Sequence, residues 1–220
     1  MRPRRLNLPT IEGSLRSVSA DFDLINRSLS VPRDPMTDEV CANLMAGYQY
    51  VDELIARSLD LFQLGNSHRL LELNTQVLCG NDEAQRRAYA QHISSTAKRF
   101  YEQEGGGVGA LMEWRSRHLG EDVWRRAAGT YVHILSRPEL YIEGNHRTGA
   151  LVMSYLLARE GRPPFVLSPK NAKAYFEPSS LAKVTKKRSL GMLVRIPKLR
   201  RQIAKLLKDS ADERFLLRSP

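Results

Sequence analysis

The chain has 220 residues, of which 42% are hydrophobic and 26% are charged, and its formal net charge is +10. This length and composition are ordinary for a globular protein with one well-buried domain. The longest apolar runs fall short of the roughly eighteen residues that a transmembrane helix needs, and no apolar stretch follows the basic start of the chain. We therefore expect a cytoplasmic protein without a Sec-type signal, and delivery into a host cell by a non-Sec route stays open.

The first predicted helices lie in the N-terminal third. A weak helical pattern covers residues 10–30 and is bounded by Pro32 and Pro35. The clearest pattern follows, because apolar residues recur every three or four positions from Val40 to Phe62. It predicts a long amphipathic helix that begins near Thr37 and ends at Gly65-Asn66.

Shorter helices are predicted in the middle of the chain. One covers residues 70–79 and is closed by Gly80-Asn81-Asp82, another covers 89–100, and two more follow the glycine run at 105–107 as residues 108–118 and 121–136. Cys41 and Cys79 stand in apolar helical contexts without metal-binding spacing, so we expect two reduced core thiols.

A polar loop separates the last of these helices from an apolar one. Glu139, Glu143, the pair Gly144-Asn145 and Arg147 precede a run of helix formers that ends at Gly161. Free N–H groups at a helix start and the positive end of the helix dipole favour a bound phosphate. The alternative is that Gly144-Asn145 is only a turn and Arg147 is solvated.

The helix after this loop is predicted to be largely buried. It is apolar nearly all round from Leu151 to Leu157, Gly161 stands where a left-handed cap is needed, and Pro163-Pro164 prevents its continuation.

The positive charge is concentrated beyond this helix. Ten basic and no acidic residues lie between Pro178 and Lys208, so the remaining 24 basic and 24 acidic residues cancel. An apolar stripe in the same segment favours a docked amphipathic helix, and it consists of Leu199, Ile203, Leu206 and Leu207. Residues 183–208 suit an acidic surface or an anionic membrane. No base-reading module or aromatic interleaving points to sequence-specific nucleic-acid binding.

The loop resembles the signature of the Fic (Fido) family, His-Pro-Phe-x-Asp/Glu-Gly-Asn-Gly-Arg-x-x-Arg followed by a helix. Tyr141 matches its aromatic position, Glu143 its acidic position, and Gly144, Asn145 and Arg147 match in turn. The resemblance implies an all-α, Fic-like helical domain with a central helix after a phosphate-binding loop, and it allows a short β-hairpin flap.

The resemblance also implies a division of the chain. Residues 1–36 are then an N-terminal extension with a weak helix, residues 37–177 are the Fic-like domain, and residues 178–220 are a basic helical segment packed on the same domain.

Four positions depart from the family pattern. Glu139 replaces the catalytic histidine, Leu140 the proline, His146 the second glycine and Ala150 the second arginine. The family histidine takes the proton of a target hydroxyl while that hydroxyl attacks a nucleotide phosphate, so the usual general base is missing.

Two functions remain open, and so does enzymatic activity. In the first, the chain is an AMP-transferase relative with impaired or altered activity, acting on a protein target with ATP or another nucleotide. Glu139 or His146 is then the catalytic group and Glu143 holds Mg²⁺. The nucleotide is bound by Glu143, Gly144, Asn145, Arg147 and Thr148. In the second, the chain is an inactive Fic-fold interaction protein that binds a partner through its basic C-terminal segment.

Overall fold

The computed structural model describes residues 3–184 and 192–217, and its regular secondary structure in these ranges is helical throughout. An isolated antiparallel bridge joins Leu6 to Leu216. The all-α prediction is therefore confirmed. The hairpin flap that the resemblance allowed is not found within these described ranges.

The described ranges contain eleven α-helices and one short 3₁₀ turn, Glu213–Phe215. In chain order the α-helices are α1 (Leu8–Ala20), α2 (Phe22–Arg27), α3 (Asp38–Ala56), α4 (His68–Cys79), α5 (Glu83–Ala88), α6 (Ala90–Glu102), α7 (Val108–Ser116), α8 (Val123–Leu135), α9 (Asn145–Arg159), α10 (Ala172–Val184) and α11 (Met192–Asp209). The predicted helix over residues 10–30 is divided at Asp21 into α1 and α2, and α5 has no counterpart among the predicted helices.

Helix α3 begins where the sequence predicts but ends earlier. The Thr37 hydroxyl accepts a hydrogen bond from the Val40 N–H at 3.2 Å, as a capping threonine does. At the other end, Ser58 takes a left-handed conformation with a φ of 53°. The Leu59 N–H then bonds the Leu54 carbonyl at 2.9 Å. This Schellman arrangement stops the helix well before the predicted end at Gly65-Asn66.

Helix α9 lies at the centre of the fold and packs against α8, α3 and α4. Every residue from Thr148 to Ala158 is buried. Where α9 packs on α8, a Cβ on Gly149 would meet the Tyr131 ring at 2.7 Å, so the glycine permits this packing. Gly161 has a φ of 70° and ends the helix as predicted.

Helix α11 carries most of the described part of the basic segment, and it packs on α8. The residues of its apolar stripe are buried, namely Leu199, Ile203, Leu206 and Leu207. Arg200 turns toward the core, where it pairs with Glu121 and lies 5.5 Å from the Trp114 ring centroid. Three of the ten basic residues, Lys186, Lys187 and Arg188, lie outside the described residues.

Both ends of the described chain are tied to the helices. The Arg4 N–H donates to the Ala158 carbonyl at 3.1 Å, and the Asn7 N–H donates to the Phe215 carbonyl at 2.8 Å. The Arg5 guanidinium binds the carboxylate of Asp52, which is only 4% exposed. Pairing compensates the cost of burying this charge.

Cys41 and Cys79 are free thiols and both are buried. Burial raises the pKa of each thiol, which disfavours the reactive thiolate. Within residues 3–184 and 192–217, none of the helices has the combination of length and apolar character needed to cross a bilayer.

Replacing Ile203 tests how firmly α11 is docked. Ile203 is 1% exposed, whereas Val194 on the same helix is 72% exposed. Ile203→Ala should lower the free energy of unfolding by about 2–5 kcal/mol, because it leaves a cavity in the core. Val194→Ala should change it by less than about 0.5 kcal/mol. Urea unfolding measures both values, and equal small effects would contradict the docked arrangement.

Candidate functional site

The loop between α8 and α9 is fixed to the core at its centre. Tyr141 is fully buried, its hydroxyl donates to the Leu70 carbonyl at 3.0 Å, and its ring stacks on Phe100 with centroids 5.7 Å apart. The Arg99 Nε donates to the Glu139 carbonyl at 3.1 Å. A loop held by both side chains and backbone keeps one conformation, which a binding site requires.

Asn145, the first residue of α9, closes this loop. Its side chain is buried, and its Oδ1 accepts from the Tyr141 N–H at 3.0 Å. Its Nδ2 donates to the Tyr141 carbonyl and to the Glu139 carboxylate, both at 2.9 Å. The Glu139 side chain is therefore held against the start of α9.

Gly144 sets the direction in which the chain enters α9. Its φ of 75° and ψ of 5° are left-handed, a conformation that a glycine adopts without a Cβ clash. A Cβ at this position would also lie 2.9 Å from the Asn74 Nδ2. Asn74 fills that space and donates to the Glu143 carbonyl at 2.9 Å and to the Thr148 hydroxyl at 3.0 Å.

The first turn of α9 presents backbone donors. The Thr148 N–H bonds the Gly144 carbonyl at 2.9 Å, which is the first hydrogen bond of the helix. The N–H groups of Asn145, His146 and Arg147 precede this bond and have no acceptor inside the helix. Together with the helix dipole they favour a negatively charged group at this end.

Arg147 belongs to the same helical turn and is half-buried. Its Nη1 donates to the Val77 carbonyl at the end of α4, at 2.7 Å. Desolvation by burial lowers the pKa of Arg147 from its ordinary value, and the charges of Glu143 and Asp34 oppose that effect. Guanidinium pKa values are so high that the group stays charged. The result is a partly desolvated cation at the helix start.

Two buried tyrosines fix His146. The Tyr131 hydroxyl lies 3.2 Å from the His146 Nδ1, and the Tyr175 hydroxyl donates to the His146 carbonyl at 3.0 Å. Burial raises the pKa of Tyr175 to about 12, so its hydroxyl is protonated at neutral pH. The imidazole is thus positioned by α8 and the backbone by α10.

The loop and the first turns of α9 border a cavity of about 310 Å³. Its polar lining is formed by the loop residues together with Arg33 and Asp34. Its apolar and aromatic lining includes Leu15, Phe22, Met36, Leu44, Tyr48, Phe165, Tyr175 and Phe176. This volume is at the lower end of the range for small-molecule sites, about 300–1,000 Å³.

The structure brings together six of the seven residues that the sequence singled out. Glu139, Glu143, Gly144, Asn145, His146 and Arg147 line the cavity, and Ala150 lines it as well. Thr148 is fully buried, and its hydroxyl bonds Asn74 instead of facing the cavity. Within the loop from Glu139 to His146, Ile142 and Glu143 are exposed and Tyr141 is buried.

Glu143 is a candidate ligand for a metal ion that a bound substrate would also coordinate. In the described part of the chain, no group of three or more His, Cys, Asp and Glu side chains could hold a metal ion. Mg²⁺ commonly binds through one or two carboxylates and the phosphates of a substrate, and the exposed carboxylate of Glu143 fits that role.

Three residues of the site were missed from the sequence. The sequence does contain an indication for Asn74, because a polar residue between Leu73 and Val77 lies on the apolar, buried face of α4 and needs a hydrogen-bond partner there. Arg33 lies in a Pro-bounded linker, and Tyr131 looked like an ordinary core residue. The roles of Arg33 and Tyr131 depend on tertiary contacts, to which local spacing gives no clue.

Comparison with known proteins found that no family model, no curated protein and no solved structure matches the chain.

Replacing Gly144 tests the geometry of the loop. Gly144→Ala should lower the free energy of unfolding by about 1–3 kcal/mol, because alanine is strained at a positive φ and its Cβ meets Asn74. Gly13→Ala is the matched control, since Gly13 lies inside α1 with nothing within 4 Å of an added Cβ. It should raise stability by about 0.5–1 kcal/mol. Chemical denaturation measures both, and a stabilising Gly144→Ala would rule out the left-handed turn.

Proposed function

We propose that the chain is a Fic-like protein that binds a nucleotide through its phosphates and has impaired or altered AMP-transferase activity. The proposal is based on one observation. The left-handed turn at Gly144 and the first turn of α9 border a cavity that is lined in part by aromatic side chains. Backbone donors and Arg147 suit phosphate, and the aromatic side chains suit the flat part of a nucleotide.

The polar residues divide into binding and reacting groups. Backbone donors of the first turn and the Arg147 guanidinium bind phosphate oxygens. Glu143 would hold Mg²⁺, which when bound neutralises phosphate charge. The sequence departures matter here, because Ala150 brings no cation to the wall that it lines. Only Arg147 is a cation from α9 at the cavity, which supports weaker or altered phosphate placement.

Glu139 is the better candidate for a base than His146. Its carboxylate lines the cavity and is directed by one hydrogen bond from Asn145. The His146 Nδ1 is already in contact with the Tyr131 hydroxyl. A carboxylate is a weak base toward a serine or tyrosine hydroxyl, and its negative charge lies near the phosphates. Both effects argue for impaired transfer.

A second candidate function is favoured by a separate observation on α11. Five basic side chains form an exposed stripe along this helix, while its apolar residues are buried. The stripe consists of Arg195, Lys198, Arg201, Lys205 and Lys208. Such a surface attracts acidic partners, so the chain could act as an interaction protein even without catalysis.

Nucleotide binding is tested first with the wild-type chain and Arg147→Ala. Isothermal calorimetry with ATP and Mg²⁺ should detect binding, and Arg147→Ala should weaken it by about 1–3 kcal/mol, the usual cost of losing one charge-assisted hydrogen bond. Arg117→Ala removes the same charge from an exposed site outside the cavity and should have no effect. Absence of heat with the folded wild type in dilute buffer would favour the interaction-protein function.

Transfer is tested by restoring the missing base. Glu139→His should create or raise AMP transfer from labelled ATP, and the gain from a general base is roughly 10²–10⁴-fold. The double variant with Ala150→Arg adds a cation at the same cavity. Glu139→Gln is the control, since it keeps the side-chain shape without supplying a base. If the wild type is already active and Glu139→Ala abolishes that activity, Glu139 is itself the base. A folded set of variants without any transfer would count against the transferase proposal.

A further inference from the structure

Arg33 is a cation of the cavity wall that does not come from α9. It lies in the linker between α2 and α3 and lines the same cavity as His146 and Arg147. Its Nη2 donates to the Phe176 carbonyl at 2.9 Å, to the Ser179 hydroxyl at 3.1 Å and to the Ser180 hydroxyl at 2.5 Å. Four contacts fix the guanidinium on α10, because its Cζ also lies 5.4 Å from the Phe176 ring centroid.

None of these contacts is with a carboxylate. Its three hydrogen bonds go to neutral oxygens, and its buried Nε has no acceptor among the described residues. Glu177 on α10 lies nearby but accepts from the Ser30 N–H at 2.7 Å, and that hydrogen bond and, more weakly, the charge of Arg33 lower the pKa of its carboxyl. The charge of Arg33 is therefore not neutralised by a direct hydrogen bond to a carboxylate, and it can attract an anion in the cavity that Arg33 lines.

Arg33 is also linked to the first turn of α9. Phe176, on which it stacks, follows Tyr175, and the Tyr175 hydroxyl donates to the His146 carbonyl at 3.0 Å. The guanidinium is close enough for its charge to affect the titration of Tyr175. The linker cation and the start of α9 are thus connected through Tyr175 and Phe176, and both line the same cavity.

We propose that Arg33 is a second phosphate-binding residue of this cavity, so that the site selects ligands with more than one phosphate. The inference rests on the proposed function, because it assumes that one phosphate lies at Arg147 and the start of α9. A monophosphate can satisfy that position alone. A nucleoside diphosphate or triphosphate has a further anionic group, which Arg33 is placed to bind with a charge-assisted hydrogen bond.

Calorimetry with ATP, ADP and AMP tests this selectivity. Arg33→Ala should weaken the binding of ATP and ADP by about tenfold or more, the effect of losing a charged hydrogen-bond partner. It should leave the binding of AMP nearly unchanged. Arg27→Ala is the matched control, because Arg27 is an exposed residue of α2 outside the cavity. It should bind all three nucleotides as the wild type does.

A rescue variant separates the charge of Arg33 from its contacts with α10. Ala150 lines the same cavity from α9, so Ala150→Arg in the Arg33→Ala background returns a cation without restoring the contacts with α10. Recovery of ATP affinity would support the inference, provided that thermal unfolding shows both variants folded.

The remaining outcomes separate this inference from the proposed function. Equal weakening of ATP and AMP without rescue would overturn it, because Arg33 would then only support α10. Unchanged binding in Arg33→Ala while Arg147→Ala is impaired would overturn it and leave the proposed function intact. If the wild type binds none of the nucleotides, both are overturned.

Discussion

The site depends on the way that one buried helix begins. Helix α9 is enclosed from Thr148 to Ala158, so its amide groups are satisfied internally and its direction is fixed by α3, α4 and α8. Its first turn opens on a cavity, and the chain can enter at that angle because Gly144 is left-handed and Asn74 fills the adjacent space. The same packing that stabilises the core therefore aims three backbone donors at one place.

The polar residues of the loop are interdependent. Asn145 joins the Tyr141 backbone to the Glu139 carboxylate, and this holds the Glu139 side chain in the loop. Glu139 stands at the position where the Fic pattern, which the loop resembles, has a histidine. Its position beside a phosphate-favouring helix start creates opposing electrostatic effects. The donors and Arg147 attract an anion, whereas Glu139 repels it. This opposition is the physical basis for proposing altered chemistry together with retained binding.

Much of this arrangement could be predicted from the sequence because its signals are local. Thr37 and Gly161 cap helices in the way that their residue types favour, and the residues from Glu139 to Arg147 are so close in the chain that one loop brings them together. The early end of α3 could not be predicted, because Ser58 adopts a conformation that a serine seldom takes. Arg33 and Asn74 reach the site from distant segments, and the sequence alone does not reveal such contacts. The direction of Thr148, into the core, likewise depends on the rotation of α9.

The central claim is that phosphate binds at the start of α9, and backbone amide NMR during titration with ATP and Mg²⁺ tests it most directly. We predict that the amide resonances of Asn145, His146 and Arg147 shift most, because their N–H groups would gain an acceptor. Shifts confined to the exposed basic residues of α11, from Arg195 to Lys208, would contradict it and indicate a surface that binds anions nonspecifically. An unchanged spectrum at saturating nucleotide would contradict it as well.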